Sequence, residues 1–259
     1  MNAQPQLADL PTVKVSTRFE LDAGPARHRI GLIALDSDIA TERDFHAMLP
    51  PDVMFYTSRI HCTNPVTVEN LRRQGPLLRD AVKLLVPAQR LDAIAYSCTS
   101  GTVAIGYEGV ASEIRAAGRP GIPVVTPITS AIAAFGHLGI RRISLLTPYL
   151  DSVNQAMRVF LESHGVEVLN IGGFCMEDDR EMARIPPDAI LDAALEVCDE
   201  RADGLFISCT AIRAVEIIER AEAALGRPVL SAIQTLLWQS LREAGYAAPV
   251  PGFGRVLAS

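Results

Sequence analysis

The sequence predicts an α/β protein built from two similar lobes, each with a four-stranded parallel sheet flanked by helices. Short apolar runs bounded by turn residues alternate with amphipathic stretches of helical periodicity, a rhythm typical of parallel sheets. The same succession of elements then occurs a second time, and the tripeptide Ser-Cys-Thr ends a predicted strand in both halves. The repetition predicts two lobes with a cleft between them.

The first half contains four predicted strands and four predicted helices. Each strand is a short apolar run, and the longest helix places Leu71, Leu78, Val82 and Leu85 at helical spacing. The predicted strands are 29–35, 52–60, 92–97 and 123–125, and the predicted helices are 42–49, 66–85, 102–117 and 129–138.

The second half repeats this order. Its predicted strands are 142–146, 166–171, 204–208 and 228–230, and its predicted helices are 151–164, 187–201, 213–225 and 232–244. Ser97-Cys98-Thr99-Ser100 in the first half matches Ser208-Cys209-Thr210-Ala211 in the second, and a Gly-Arg-Pro segment follows at 118–120 and again at 226–228. These shared segments indicate an internal duplication, giving two pseudo-symmetric, Rossmann-like lobes.

Four segments organise the predicted chain. Residues 1–27 are polar and aperiodic and are expected to form an N-terminal arm. Residues 28–130 form the first lobe and 131–231 the second, while a C-terminal helix at about 232–247 is expected to pack back onto the first lobe. Because ligands of open α/β sheets bind beyond the carboxyl ends of the strands, both Ser-Cys-Thr segments are expected at the cleft.

Charge and composition exclude several functions. The net charge is −6 and the basic residues are scattered, so the chain carries no footprint for nucleic acid. No apolar run reaches the ~18 residues of a membrane span, and no signal pattern opens the sequence, so we expect a cytoplasmic protein without a membrane partner. The five cysteines are an odd number without Cys-x-x-Cys pairs, and the histidines form no pair at ligand spacing, which favours free thiols over disulfides or a metal site.

The paired cysteines, Cys98 and Cys209, are the strongest functional candidates. A single cysteine ending an apolar strand is usually a small buried hydrophobic residue. Packing alone, however, would not place serine and threonine beside it in both halves. Each cysteine also precedes a predicted helix, whose free N–H groups and positive dipole end would stabilise a thiolate and bind carboxylate oxygens.

With these motifs and a Thr147-Pro148-Tyr149 segment, residues 29–244 resemble the aspartate/glutamate racemase superfamily. The similarity is to its branch of maleate cis-trans isomerases, arylmalonate decarboxylases and ectoine-utilisation proteins. It implies an isomerase or racemase without cofactor or metal, with Cys98 and Cys209 facing each other across a small carboxylic or amino acid. It also implies a homodimer or higher homo-oligomer. The substrate-binding residues implied by the resemblance are Thr99, Ser100 and Thr210 for carboxylates and Tyr149 for an enolate-like oxygen.

Two opposed thiols suit more than one reaction. A racemase needs a thiolate on one face to take the α-proton and a thiol on the other face to return one. A cis-trans isomerase needs a thiolate that adds to the double bond, so that the resulting single bond can rotate. Arylmalonate decarboxylases keep only the second cysteine and carry glycine at the first position, so the presence of Cys98 disfavours decarboxylation.

The loop after the first strand departs from the maleate isomerase pattern, which has an asparagine that donates to a substrate carboxylate. This chain reads Asp36-Ser37-Asp38, and an ionised Asp38 cannot donate. Either the substrate bears a cationic amine there, or the loop is arranged differently. Asp36 and Ser37 look like the Asp-Ser pair of glutamate racemases, where the acid assists the cysteine, although a helix cap is an equal alternative for both aspartates. The roles of Arg59 and Asn64 stay open.

Other function classes remain as alternatives. A two-lobed carboxylate-binding protein would share the cleft but would need no mirrored cysteine motif. A nucleotide-dependent enzyme would need a glycine-rich phosphate loop, and the sequence has none with the required spacing. The substrate itself, with an ectoine breakdown product among the candidates, is not determined by the sequence.

Overall fold

The computed structural model describes residues 10–259. Residues 1–9 of the predicted arm lie outside the described residues. From 10 to 27 the chain forms no helix or strand and is exposed except at Ala26.

The first sheet has four parallel strands in the order β2-β1-β3-β4. Its strands are β1 His28–Leu35, β2 Val53–Ile60, β3 Ala93–Tyr96 and β4 Val124–Val125. The helices of this half are α1 Thr41–Met48, α2 Val68–Arg72, α3 Gly75–Lys83, α4 Thr99–Ile105, α5 Tyr107–Ala116 and α6 Pro127–Leu138.

The second sheet repeats this topology with the order β6-β5-β7-β8, again parallel throughout. Its strands are β5 Arg142–Thr147, β6 Glu167–Gly173, β7 Gly204–Ile207 and β8 Val229–Ser231. The helices are α7 Asp151–Ser163, α8 Asp179–Met182, α9 Pro187–Val197, α10 Ile218–Leu225 and α11 Ala232–Glu243. The predicted fold class, two four-stranded parallel sheets flanked by helices, is confirmed.

Three predicted helices differ from the structure. The predicted helix over 66–85 is divided into α2 and α3, with Pro76 in the first turn of α3, a position that proline favours. The predicted helix over 102–117 is broken at Gly106, whose φ of +86° lies outside the helical region. The predicted helix over 213–225 begins only at Ile218, after a short 3-10 helix at Ala214–Glu216.

The C-terminal helix α11 begins with a capping box in which Ser231 and Gln234 satisfy each other's backbone N–H groups. It packs mainly on α6 and also contacts α1, β3 and β4 of the first half. The predicted boundary between residues 130 and 131 falls inside α6. Among the described residues, no helix is long and apolar enough to cross a membrane.

Candidate active site

Cys98 and Cys209 follow the central strands β3 and β7 at equivalent places in the two sheets, and both are buried. The Thr210 hydroxyl donates a 3.1 Å hydrogen bond to the Ser97 carbonyl oxygen. This bond joins the two Ser-Cys-Thr segments directly. The structure therefore brings together, at one place between the sheets, the two motifs that the sequence singles out.

Cys98 is the N-cap of α4, and its Sγ accepts a 3.2 Å hydrogen bond from the Gly101 N–H. The Tyr96 hydroxyl hydrogen-bonds both the Cys98 thiol and the Gln74 side chain. A Cβ at position 101 would lie 2.7 Å from Sγ and 2.4 Å from the Tyr96 hydroxyl, so only glycine fits this position. These contacts fix the Cys98 thiol in place.

Cys209 has a different local structure, and the expectation of a helix directly after it is wrong. The following residues run without helix to the 3-10 turn at Ala214–Glu216, so no helix dipole acts on this thiol as it does on Cys98. Instead, Sγ accepts a 3.4 Å hydrogen bond from the Ala211 N–H. The Cys209 backbone has a φ of +100°, a region that non-glycine residues avoid and that is found mainly at functional sites.

Tyr149 lies between the two cysteine segments. Its ring is buried, and its hydroxyl hydrogen-bonds the Cys209 thiol and the Ser100 side chain. The backbone beyond β5 is held in turn by Asn154, whose amide donates to the Tyr149 carbonyl oxygen at 3.1 Å. Tyr149 thus connects a residue of the second lobe's motif with one of the first.

Two hydroxyls near the cysteines have unused hydrogen-bonding capacity. The Thr99 and Ser208 hydroxyl oxygens are buried and have no hydrogen-bond partner among the described residues. A buried polar group without a hydrogen-bond partner costs about 1 to 3 kcal/mol of folding free energy, so such groups usually bind a ligand or an ordered water. Thr99 was predicted to bind a substrate carboxylate, and its free hydroxyl directly follows Cys98.

Asp179, which the sequence analysis did not single out, lies in this site with only 6% of its surface exposed. It begins α8, in a loop that leaves the second sheet and reaches the first half. The Asp179 N–H donates to the Asn64 side chain at 3.0 Å, and the Ser37 hydroxyl donates to the Asp179 carboxylate. Asn64 and Ser37 therefore hold this loop, and no sequence signal distinguished Asp179 from an ordinary loop aspartate.

Burial and nearby charge shift the pKa values of both thiols and of Asp179. Burial, followed by the negative charge of Asp179, raises the pKa of Cys98 and of Cys209 to about 12. Burial is also the main reason why the pKa of Asp179 is raised to about 6, with the nearby charges of Asp38, Asp178 and Asp36 adding to the effect. At neutral pH the free site thus contains two protonated thiols beside an ionised, poorly solvated carboxylate.

The other acids of the β1 loop have local partners. Asp36 accepts hydrogen bonds from the Cys62 N–H at 2.9 Å and from His61 at 2.7 Å, so its direct contacts are with the loop after β2 rather than with Cys98. Asp38 accepts from the Ala40 and Thr41 N–H groups at 2.8 and 2.9 Å. Asp38 therefore caps the start of α1, as the helix-cap alternative predicts.

Arg59 supports this loop from outside. Its guanidinium donates to the Leu35 and Asp38 carbonyl oxygens at 2.9 and 2.8 Å and pairs with Glu42. It is thus committed to the loop backbone. Within residues 10–259, no three His, Cys, Asp or Glu side chains gather closely enough to hold a metal ion.

Two α/β lobes that place one buried cysteine each at a shared site define a protein of the racemase-like superfamily. Within it, this chain belongs to the arylmalonate decarboxylase family, whose model matches residues 81–257. The chain is 25% identical over 247 residues to a maleate isomerase of Alcaligenes faecalis, covering 89% of this chain and 96% of the relative. It is 29% identical over 139 residues to an arylmalonate decarboxylase of Bordetella bronchiseptica, covering 52% of this chain and 58% of that protein.

Solved structures share the fold. A Nocardia farcinica maleate cis-trans isomerase mutant with a covalently bound succinylcysteine intermediate superposes with a TM-score of 0.82 and 23% identity, covering 89% of this chain and 98% of that one. A crystal structure of arylmalonate decarboxylase superposes with a TM-score of 0.71 and 24% identity. Both have the two-lobed fold seen here.

Replacement of Cys209 by glycine should stabilise the fold relative to replacement by alanine, because glycine adopts a φ of +100° without strain. We expect a difference of about 1 kcal/mol in the free energy of unfolding, measured by urea denaturation. At Cys98, whose φ is −149°, the order should reverse, and glycine should be less stable than alanine. Equal stability of the two Cys209 variants would show that the backbone there is unstrained.

Replacement of Asp179 by asparagine should stabilise the protein by about 2 kcal/mol at pH 8, because the folded state no longer buries an ionised carboxylate. The pKa of Asp179 is about 6 when folded and near 3.8 when unfolded, so the wild-type penalty exists above pH 6 and falls as pH drops towards 4. The unfolding free energies of wild type and Asp179→Asn should therefore differ clearly at pH 8 and lie closer together at pH 4.5.

The matched control is Asp178→Asn. Asp178 pairs with Arg180, which lowers its carboxyl pKa, so removal of this charge should not stabilise the fold at either pH. A gain at pH 8 in both variants would point to the net charge of the loop rather than to burial of Asp179.

Proposed function

We propose that this protein is a cofactor-independent isomerase that acts on a small carboxylic acid, with Cys98 and Cys209 as its catalytic thiols. The observation that carries this proposal is the pair of buried cysteines at equivalent strand ends, connected through the Tyr149 hydroxyl and the Thr210–Ser97 hydrogen bond. The maleate isomerases that match almost the whole chain support the same reaction class.

The two thiols have different surroundings, and we assign the thiolate to Cys98. Its Sγ accepts a hydrogen bond from the Gly101 N–H at the start of a helix, and this donor stabilises a negative sulfur. Cys209 lacks the helix and receives a longer hydrogen bond. Cys209 is therefore the better proton donor, in contact with Tyr149.

In cis-trans isomerisation, the Cys98 thiol first releases its proton to solvent. The thiolate then forms a C–S bond to one alkene carbon while the π electrons move to the adjacent carbon and its carboxylate. The former double bond rotates as a single bond, and expulsion of the thiolate restores the alkene. In racemisation, Cys98 removes the α-proton and Cys209 delivers its proton to the opposite face. Both routes place negative charge on a carboxylate, and the Thr99 hydroxyl, which has no partner among the described residues, and the Ser100 hydroxyl are the donors proposed to bind it. The Thr210 hydroxyl, also predicted to bind a carboxylate, instead donates to the Ser97 carbonyl oxygen.

Decarboxylation is the second candidate, because the family model and one relative are those of arylmalonate decarboxylase. That reaction needs a single thiol to protonate the carbanion left by CO2. Both Cys98 and Cys209 are buried at the site, and the presence of the second thiol favours a reaction that uses both.

We further propose a cytoplasmic homodimer or higher homo-oligomer that acts on an ectoine breakdown product or a related acid. The support for the compartment is the odd set of free cysteines, which suits a reducing environment. The oligomer and the link to ectoine rest on the family resemblance.

Proton NMR in D2O should identify the reaction, with maleate, the enantiomers of aspartate and glutamate, and simple ectoine-derived amino acids as substrates. Conversion of maleate to fumarate would indicate isomerisation, and exchange of an α-proton with inversion would indicate racemisation. Cys98→Ala and Cys209→Ala should each lower turnover about a hundredfold or more.

Cys198→Ala is the matched control, because this thiol ends α9, on the periphery of the second lobe, and should leave turnover unchanged. For a racemase, Cys209→Ala should still exchange the proton that Cys98 removes but without inversion. Wild-type turnover in both Cys98→Ala and Cys209→Ala would contradict the proposal.

A further inference from the structure

We propose that Asp179 binds a cationic nitrogen of the substrate, so that the natural substrate is a carboxylic acid bearing an ammonium group rather than a simple diacid. This inference rests on the proposed function, since it concerns the same cleft. The buried charge of Asp179 indicates both the residue that recognises the substrate and the class of substrate that it recognises.

The Asp179 carboxylate lacks a cation. One oxygen accepts from the Ser37 hydroxyl, whereas the other accepts no hydrogen bond from a described residue. The side chain is more than nine-tenths buried and forms no salt bridge with any residue of the described chain. Buried carboxylates are normally paired, so a carboxylate held this way at a binding site is suited to a cationic ligand.

Its position relative to the chemistry is fixed by hydrogen bonds. Ser37, which donates to Asp179, follows β1, the strand that pairs with β3, and β3 leads into Cys98. The Thr41 hydroxyl, at the start of the helix α1 that follows this loop, lies 3.0 Å from the Ser97 hydroxyl, and the Ser97 carbonyl oxygen accepts from Thr210. Asp179 therefore belongs to the cluster that contains both thiols.

The local charge also favours an amine-bearing substrate over a diacid. Asp38 is buried, and its carboxylate is committed to the Ala40 and Thr41 N–H groups at the start of α1. A diacid entering beside Asp179 would bring two further negative charges next to a carboxylate that is already poorly solvated. An amino acid adds an ammonium that can pair with Asp179 and a carboxylate that can reach the hydroxyls of Thr99 and Ser100.

The same pairing would activate the thiols. Asp179 is the largest influence after burial that raises the pKa of Cys98 and of Cys209. A substrate ammonium beside Asp179 compensates its charge, so thiolate formation becomes easier only when the substrate is bound. The free enzyme then keeps both sulfurs protonated and less open to oxidation.

The test compares pairs of compounds that differ by one ammonium group: succinate with D- and L-aspartate, glutarate with D- and L-glutamate, and butanoate with 4-aminobutanoate. Titration calorimetry with the purified protein at pH 7.5 should show that at least one amine-bearing compound binds roughly tenfold or more tightly than its amine-free counterpart. In Asp179→Asn this preference should be lost. Asp178→Asn, which removes a neighbouring charge that pairs with Arg180, should keep it.

A second measurement needs no ligand. Alkylation of Cys98 by iodoacetamide should be severalfold faster in Asp179→Asn than in wild type, because the thiolate fraction rises when the adjacent charge is removed. The proposal is overturned if no amine-bearing compound binds preferentially, if Asp179→Asn keeps the preference, or if alkylation is unchanged. Loss of turnover in the cysteine variants tests the proposed isomerase separately, because it does not depend on which acid is bound.

Discussion

The hydrogen bond from the Thr210 hydroxyl to the Ser97 carbonyl sets the geometry on which the site depends. It ties the end of β7 to the end of β3, so that the two sheets, whose buried apolar residues form one continuous core, also meet at their strand ends. Tyr149 adds a second connection, since its hydroxyl contacts Cys209 on one side and Ser100 on the other. A shift of one lobe relative to the other would separate the thiols and break both connections.

The duplication of the chain does not make the two thiols equivalent. Cys98 begins a helix and occupies ordinary extended backbone, whereas Cys209 lies in a strained conformation with no helix after it. Racemisation can use different groups on the two faces of the substrate, whereas addition of a thiolate to a double bond needs only one activated sulfur. The proposed roles, thiolate chemistry at Cys98 and proton delivery at Cys209, rest on this asymmetry.

The strands and the pairing of the two motifs could be predicted because they depend on local apolar runs and on short repeated segments. The break at Gly106 could have been anticipated from the glycine itself. The backbone of Cys209 could not, because the repeated tripeptide suggested a matching helix in both halves. Asp179 was also beyond local patterns, since its burial depends on a loop that crosses from β6 to Ser37 and Asn64.

Two features of the site work against stability. The φ of Cys209 costs conformational energy, and the buried charge of Asp179 costs desolvation that the Ser37 hydroxyl offsets only in part. In natural proteins most residues have a conformation and an environment that suit their side chains, and the exceptions are concentrated at functional sites. Here both departures lie beside the same thiols. The charge of Asp179 also opposes thiolate formation, so a role confined to the free enzyme would only hinder the chemistry. In the proposed complex the bound substrate supplies the missing positive charge, so the Asp179 carboxylate no longer opposes the chemistry.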